Sequence, residues 1–315
     1  MDDSFINILV FYTFCGAAFF QLFYFLFFYL RLANYKPKEK KITQYPPVSV
    51  IICARNEDTN LKQHLPKILA QDYPAFEVIV VDDNSDDGTT EYLFFLSQKE
   101  PRLKRTKTGN SNRMMAGKKF PLTLGLKAAA NELVVLTDAD CYPATNQWLK
   151  QVVSGYATDD KAIVLGYGAY EKKPGRLNRR IRYETFLTAL NYLSFALAKL
   201  PYMGVGRNLS YQKGLFFSTN GFFDHRQIPS GDDDLFINKV ATKKNTEIVI
   251  SPDAFTYSPP KETREEWIEQ KTRHMSTARY YRAKHKFWLA LQPISHILFW
   301  ITSLYLLATV FVYWY

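Results

Sequence analysis

The stretch Thr137-Asp138-Ala139-Asp140-Cys141, entered from the apolar run Leu133 to Leu136, sets two carboxylates one residue apart where a buried strand runs out. Side chains alternate along a strand, so Asp138 and Asp140 point the same way. Paired carboxylates suit a hard divalent cation, Mg2+ or Mn2+, that also holds a substrate phosphate. Two further polar stretches follow apolar runs upstream: Ala54-Arg55-Asn56-Glu57 after Val48 to Cys53, and Asp82-Asp83-Asn84-Ser85-Asp86-Asp87-Gly88-Thr89 after Phe76 to Val81. The second also has the composition of an Asx turn leading into a helix cap, a role compatible with ligand binding. Downstream, Ser230-Gly231-Asp232-Asp233-Asp234-Leu235 opens a helical pattern. Acids at a helix N-terminus are held ionised by its dipole, and one of them can serve as a general base. A glycine-rich phosphate loop is missing from the sequence, which argues against dinucleotide binding or ATP hydrolysis of the usual kind.

Short β-rich runs at Val48 to Cys53, Phe76 to Val81, Leu133 to Thr137 and Ala162 to Leu165 must position these groups. They alternate with helical stretches near Leu61 to Gln71, Thr89 to Gln98, Pro121 to Ala130 and Asn146 to Ala157. The alternation predicts an α/β fold with a mostly parallel sheet and right-handed crossovers, its ligand crevice at the carboxyl ends of the strands. The stretch Leu177 to Leu200 has apolar residues at near-helical spacing behind Arg179, Arg180 and Arg182. Spacing alone fits a core-facing helix and an interfacial one equally, and the apolar segments at both ends tilt the reading to the interface.

At 315 residues and 47% hydrophobic content the chain can bury a full α/β core. Its net charge of +10 crowds beside apolar segments, which points to an anionic membrane surface and not to nucleic acid. Phe5 to Leu30 carries no formal charge and is long enough to cross a bilayer; Asp2 and Asp3 before it argue against a cleaved signal peptide. Arg31, Lys36, Lys38, Lys40 and Lys41 follow, so the positive-inside rule puts the next domain in the cytoplasm. Arg279, Arg282, Lys284 and Lys286 precede a second apolar segment, Phe287 to Tyr315. There Gln292-Pro293 suggests a kink or a short surface helix, and Trp288, Trp300, Tyr313, Trp314 and Tyr315 suit interfacial belts. Cys15, Cys53 and Cys141 have neither zinc-type nor disulfide spacing.

In order and spacing, Pro47 to Glu57, Val80 to Thr89, Gly117-Lys118 with Leu124-Gly125-Leu126, and Thr137 to Asp140 resemble family 2 glycosyltransferases of the GT-A fold over roughly residues 45 to 285. The resemblance implies an inverting, metal-dependent enzyme that takes a nucleotide-diphosphate sugar, a UDP-sugar first among them, and passes the sugar to a lipid-linked or growing glycan acceptor. Carried over by position, Cys53, Ala54, Arg55, Glu57 and Asp83 would hold the nucleobase and ribose. Lys118 would approach the donor, Asp138 would face ribose or metal, and Asp140 would ligate the metal. The family's acidic pair maps its base to Asp233, with Asp232 the alternative because the acidic run blurs the register by one. Arg207 and Asn208, in Gly204 to Tyr211, would line the acceptor side. Gln270, Arg273 and His274 resemble a Gln-x-x-Arg-Trp motif in which His274 replaces the Trp, leaving acceptor stacking in doubt; Gln270 and Arg273 would reach the diphosphate. The implied layout is an anchor at 1–32, a basic linker at 33–45, and a catalytic domain at 46–285, followed by a membrane segment at 286–315. Within the catalytic domain, 46–145 is the nucleotide-sugar half and 146–285 the acceptor half.

Three rival functions remain on the residues alone. A polyprenyl-phosphate sugar transferase would need little base catalysis, which the acids at 232 and 233 and the Gln270/Arg273 pair oppose. A non-catalytic membrane receptor for a nucleotide or glycan would not need all the acids intact. A nucleotidyltransferase would need a Gly-rich basic loop near its start.

Overall fold

The computed structural model describes residues 3–37, 44–109, 115–158 and 160–314, with side chains through 309. Asp2, the linker lysines Lys38, Lys40 and Lys41, and Tyr315 lie outside the described residues, as do the side chains of Tyr313 and Trp314. The chain divides into two compact units, residues 1–35 with 281–315, and residues 36–280.

In the first unit, α1 (Asp3–Tyr24) passes through a π-helical turn at Phe25–Tyr29 into α2 (Leu30–Ala33). The final helix, α11 (Ala283–Trp314), runs unbroken through Pro293 and packs along α1. Ser4–Ala33 and Ala283–Thr309, at 30 and 27 residues, are long and apolar enough to cross a membrane by length and composition. Polar side chains fasten the pair: Gln21 Nε2 donates to Ser295 Oγ at 2.6 Å, and the Tyr305 hydroxyl donates to Asn7 Oδ1 at 3.1 Å. In an apolar surround such bonds fix the facing register of two helices.

The second unit contains β1 (Val48–Ala54), α3 (Asp58–Leu69), β2 (Phe76–Asp82), α4 (Thr89–Lys99), β3 (Leu103–Lys107), α5 (Lys119–Ala128), β4 (Leu133–Asp138), β5 (Tyr142–Pro143), α6 (Trp148–Ser154), β6 (Ile163–Leu165) and β7 (Gly168–Tyr170). It continues with α7 (Arg176–Leu197), β8 (Leu209–Gln212), α8 (Lys213–Ser218), α9 (Asp234–Val240), β9 (Thr246–Ile248), β10 (Thr256–Ser258) and α10 (Arg264–Met275). The main sheet has the order β3-β2-β1-β4-β8-β6-β9, and β5-β10-β7 form a small second sheet. Strands β3, β2, β1 and β4 are parallel, and β8 runs antiparallel to both of its neighbours. The fold is thus α/β with a mostly parallel central sheet. Val48, Val50, Ile52, Val78, Val80 and Val135 are fully buried, the signature of strands covered on both faces.

Strand β3 has no counterpart among the expected strands, because Leu-Lys-Arg-Thr-Lys carries no apolar run. It occupies the sheet edge, where charged side chains face water and discourage further pairing. Helix α7 turns Ile181, Thr185, Ala189, Tyr192 and Leu193 into the core. What it leaves in the open is a different stripe, with Arg179 and Arg180 ahead of Tyr183 and Phe186, the last two 62% and 53% exposed.

Helix α5 approaches the sheet most closely at Gly125, where an added Cβ would stand 2.5 Å from Ile51 Cγ2. Overpacking there outweighs the gain in helix propensity, so Gly125→Ala is expected to cost about 1–2 kcal/mol. A lowered urea midpoint of the detergent-solubilised chain, at unchanged slope, would register it.

Candidate active site

Strand register brings the polar loops to one level. Ala54 at the end of β1 pairs with Asp82 at the end of β2, and Cys53 pairs with Asp138 at the end of β4. The Asp83 N–H closes the first junction by donating to the Ala54 carbonyl at 2.7 Å.

Within Asp82 to Thr89 the acids divide between the turn and the strand end. Asp82 accepts from the Ser85 N–H at 3.0 Å and from the Thr90 hydroxyl at 2.5 Å, which makes it the Asx-turn residue. Asp87 accepts from the N–H groups of Asp58 and Thr89 and caps the loop. Asp83 is buried and takes the Thr108 hydroxyl at 2.9 Å. Beside it lies an open cavity of about 550 Å3 lined by Asn84, Ser85, Asp86, Lys107, Thr108 and Gly109. Asn56 and Asn84 both have positive φ, and the Asp86 N–H donates to Asn56 Oδ1 at 2.8 Å, which braces the loops after β1 and β2 together. Arg55 is exposed on the first of these loops. The Glu57 carboxyl holds Asn60 Nδ2 at 2.6 Å; its pKa is raised, first by burial and then by Asp140 and Asp138 nearby.

Lys118 forms an ion pair with Asp138, each side chain about a third exposed. Burial works against the ammonium, but Asp138, then Cys53 and Asp232, keep its pKa raised. Asp138 is likewise penalised by burial, and Lys118 chiefly holds it ionised, with Arg207 and His274 assisting. Asp140 is less well compensated: burial first, then Asp138, push its pKa up against the weaker pull of Arg207 and Lys118. Ligand atoms of Asp138, Asp140 and Cys141 lie within 4.8 Å of one another. The carboxylates fit a hard divalent cation, and the charge crowded at Asp140 is of the kind such an ion relieves. Cys141 does not join them, because burial, then Asp140, hold its thiol protonated and it leans on Asp140 Oδ1 at 3.4 Å. Cys53 is no nucleophile either, its thiol being pushed up to about 12 by burial, with Asp232, Asp138 and Asp83 adding to the effect against Lys118.

The acids before α9 divide their roles. Asp233 Oδ2 accepts from the Gly206 N–H and Oδ1 from the Asp234 N–H, both at 2.7 Å, so both of its oxygens cap backbone. Burial, then Asp232 and Asp234, raise its pKa to about 8. Asp234 is buried and accepts from the Thr277 hydroxyl at 2.5 Å. Asp232 instead stands in the field of Lys118, Lys119, Cys53 and Tyr211.

Among the acceptor-side candidates, the Arg207 guanidinium lies 4.3 Å over the Tyr170 ring, donates to Ser258 Oγ at 3.0 Å, and feels Asp138 and Asp140. Asn208 corrects the expectation from sequence. Its side chain accepts from Trp148 Nε1 and donates to the carbonyls of Tyr167 and Ala254, entirely inside the core, and leaves nothing for an acceptor. Gln270 on α10 accepts from the Tyr170 hydroxyl at 3.3 Å, which ties α10 to the same ring that carries Arg207. Arg273 and His274 are exposed one turn on, with His274 in the field of Arg207 and Asp138.

Two residues absent from the sequence reading complete the surroundings. Lys119 is fully buried, and His225 is 7% exposed with Nε2 unpartnered among the described residues. The α5 pattern could have revealed Lys119, which shares its buried face with Leu122 and Leu126 at helical spacing. Burial, then Lys119 and Lys239, lower the His225 pKa from 6.5 to about 4. Its folded pKa lies below the unfolded one, so the unfolded chain binds the extra proton between those values. Stability is therefore expected to fall as pH drops from about 6.5 to about 4, by at most ~3 kcal/mol. Thermal midpoints measured across that window should flatten in His225→Gln.

A glycosyl transferase family 2 model matches residues 49–223. The chain is 27% identical over 257 residues to the probable glycosyltransferase YdaM of Bacillus subtilis (strain 168), covering 78% of this chain and 58% of that protein. It is 29% identical over 143 residues to a beta-monoglucosyldiacylglycerol synthase of Synechocystis sp., covering 45% of this chain and 28% of that one. In structure it is similar to the mannosyltransferase PcManGT from Pyrobaculum calidifontis, solved in complex with GDP-Man and Mn2+. That match has a TM-score of 0.66 at 23% identity and covers 97% of this chain and 86% of the other. With the matched region spanning more than half of its length, the chain belongs to glycosyl transferase family 2.

Proposed function

We propose that the protein is an inverting glycosyltransferase held at the cytoplasmic face of the inner membrane by its two apolar helices, moving a sugar from a nucleoside-diphosphate donor to a lipid-linked or glycan hydroxyl. The observation that carries this reading is the meeting of three strand ends at one level, where β1 pairs with the ends of β2 and β4, Lys118 is ion-paired to Asp138, and Asp140 lies within 4.8 Å of Asp138. The nucleobase and ribose are held by Asp83 with Cys53, Ala54, Arg55 and Glu57 at the ends of β1 and β2. Gln270 and Arg273 face the diphosphate from α10, while Arg207 and His274 border the acceptor.

Asp140, with Asp138, would hold Mg2+ or Mn2+, which supplies Lewis-acid neutralisation of the charge developing on the diphosphate. Lys118 holds Asp138 ionised, so that this carboxylate keeps its charge in a buried place. Asp232 takes the proton of the acceptor hydroxyl as its oxygen bonds to the anomeric carbon. The bond from that carbon to the diphosphate oxygen breaks on the opposite face, its electron pair leaving with the nucleoside diphosphate. Asp233 caps α9 and holds the base in line.

The purified full chain in lipid vesicles, offered UDP-glucose, UDP-galactose, UDP-N-acetylglucosamine and GDP-mannose with Mn2+, is expected to turn over at least one donor. No turnover of any donor, with binding retained, would favour the receptor reading instead.

A further inference from the structure

Lys119 stands beside the donor-side Lys118 in sequence but has different partners: Lys118 pairs with Asp138, whereas both lysines feel Asp232. The Lys119 ammonium is fully buried and donates at 2.6 Å to the Ile228 carbonyl and at 2.6 Å to the Ser230 carbonyl. These carbonyls flank Pro229 and come directly before Gly231-Asp232. The same two segments are fastened elsewhere as well. The Ala116 N–H donates to the Arg226 carbonyl at 2.8 Å, and Gly117, at φ +63°, lies so close to the loop that an added Cβ would stand 2.0 Å from the Pro229 carbonyl oxygen. A buried ammonium is a poor device for stability alone, since an apolar side chain of similar size is cheaper to bury. What the ammonium adds is a pair of fixed donors that tie two loop carbonyls to the first turn of α5.

We infer that Lys119 is a positioning residue for the transfer step: it sets the 226–231 loop so that Asp232 meets the acceptor hydroxyl, while its neighbour Lys118 holds Asp138. This rests on the assignment of Asp232 as base. Residues 116–119 thereby join the donor side of the crevice to the base-bearing loop through a single short segment. Misplacing a reacting group by about 1 Å costs on the order of 100-fold in rate, which sets the size of the effect.

The test uses the full chain and whichever donor of the four above it turns over fastest. Lys119→Met is expected to lower kcat about 100-fold with the donor KM changed less than about 3-fold, and the Lys119→Met/Asp232→Asn double variant is expected to be no slower than Asp232→Asn alone. A residue that served only general stability would lower Tm without that coupling. An unchanged kcat, or losses that multiply in the double variant, would overturn the proposal. Should Lys119→Met fail to fold, Gly117→Ala presses on the same loop from the other side and is held to the same two criteria. An unimpaired Asp232→Asn is a separate outcome, which removes the base assignment itself and the present inference with it.

Discussion

Replacing Asp232 with asparagine is expected to abolish most glycosyl transfer, lowering kcat by about 1,000-fold, within the range that general-base catalysis supplies. Donor binding should survive, because the groups proposed to hold the donor come from the ends of β1, β2 and β4 and from α10. Asp233→Asn should behave differently. Both Asp233 oxygens accept backbone N–H groups, from Gly206 and from Asp234, and an asparagine can keep only one of those bonds. Its expected effect is a loss of about 1–2 kcal/mol of stability, as for a damaged helix cap, with a smaller change in kcat. Comparing the two variants by single-turnover transfer and by thermal unfolding separates base from cap. If the rates reversed, with Asp233→Asn the crippled one, the base would belong to Asp233. If both left transfer intact, the phosphate-acceptor reading, which needs no base, would gain.

Replacing Asp140 with asparagine should have an effect nearly as large. Asp140 and Asp138 differ in their electrostatic partners: Lys118 neutralises Asp138, whereas burial and the charge of Asp138 crowd Asp140. A cation entering this site gains most from the carboxylate whose charge is least offset, Asp140, on which burial and Asp138 outweigh the more distant Arg207 and Lys118. Loss of that ligand is expected to remove about 3–4 kcal/mol of metal-dependent stabilisation, on the order of 100- to 1,000-fold in rate. The direct measurement is donor binding titrated against Mn2+. The wild-type chain should show a metal-dependent rise in donor affinity that Asp140→Asn lacks, even at high Mn2+ concentration. Equal metal dependence in both proteins would remove Asp140 from the metal site. Asp138→Asn makes an informative partner, since it also releases Lys118 and should weaken donor binding with and without metal.

Most of the donor half was legible because its physics is local. Continuous apolar runs bounded by Asp, Asn and Gly specify buried parallel strands and their carboxyl ends, and β1, β2 and β4 fall where those runs do. Strand β3 was not legible, since an edge strand needs no apolar alternation. The division of work among the three acids at 232 to 234 was equally hidden. It depends on the Gly206 N–H, 27 residues earlier in the chain, selecting one carboxylate as a cap. Asn208 misled because an amide next to an arginine reads as a ligand contact, while its real partners, Trp148, Tyr167 and Ala254, are distant in sequence. Lys119 was obscured by its pairing with Lys118: two adjacent lysines suggest a solvated surface, and only the spacing of Lys119 with Leu122 and Leu126 signals the one that faces inward.

The placement of β8 also bears on how the chain reaches this shape during synthesis. Strand β4 ends at Asp138 and leads into Asp140, the acids proposed to hold the metal, yet its outer neighbour β8 begins only about 70 residues after β4 finishes. At ribosomal speeds of about 5–20 residues per second, β4 waits several seconds as an open apolar border before that neighbour exists. A nascent chain arrested before residue 209 should therefore present a sticky intermediate to chaperones, and release of that border should coincide with the emergence of Leu209–Gln212.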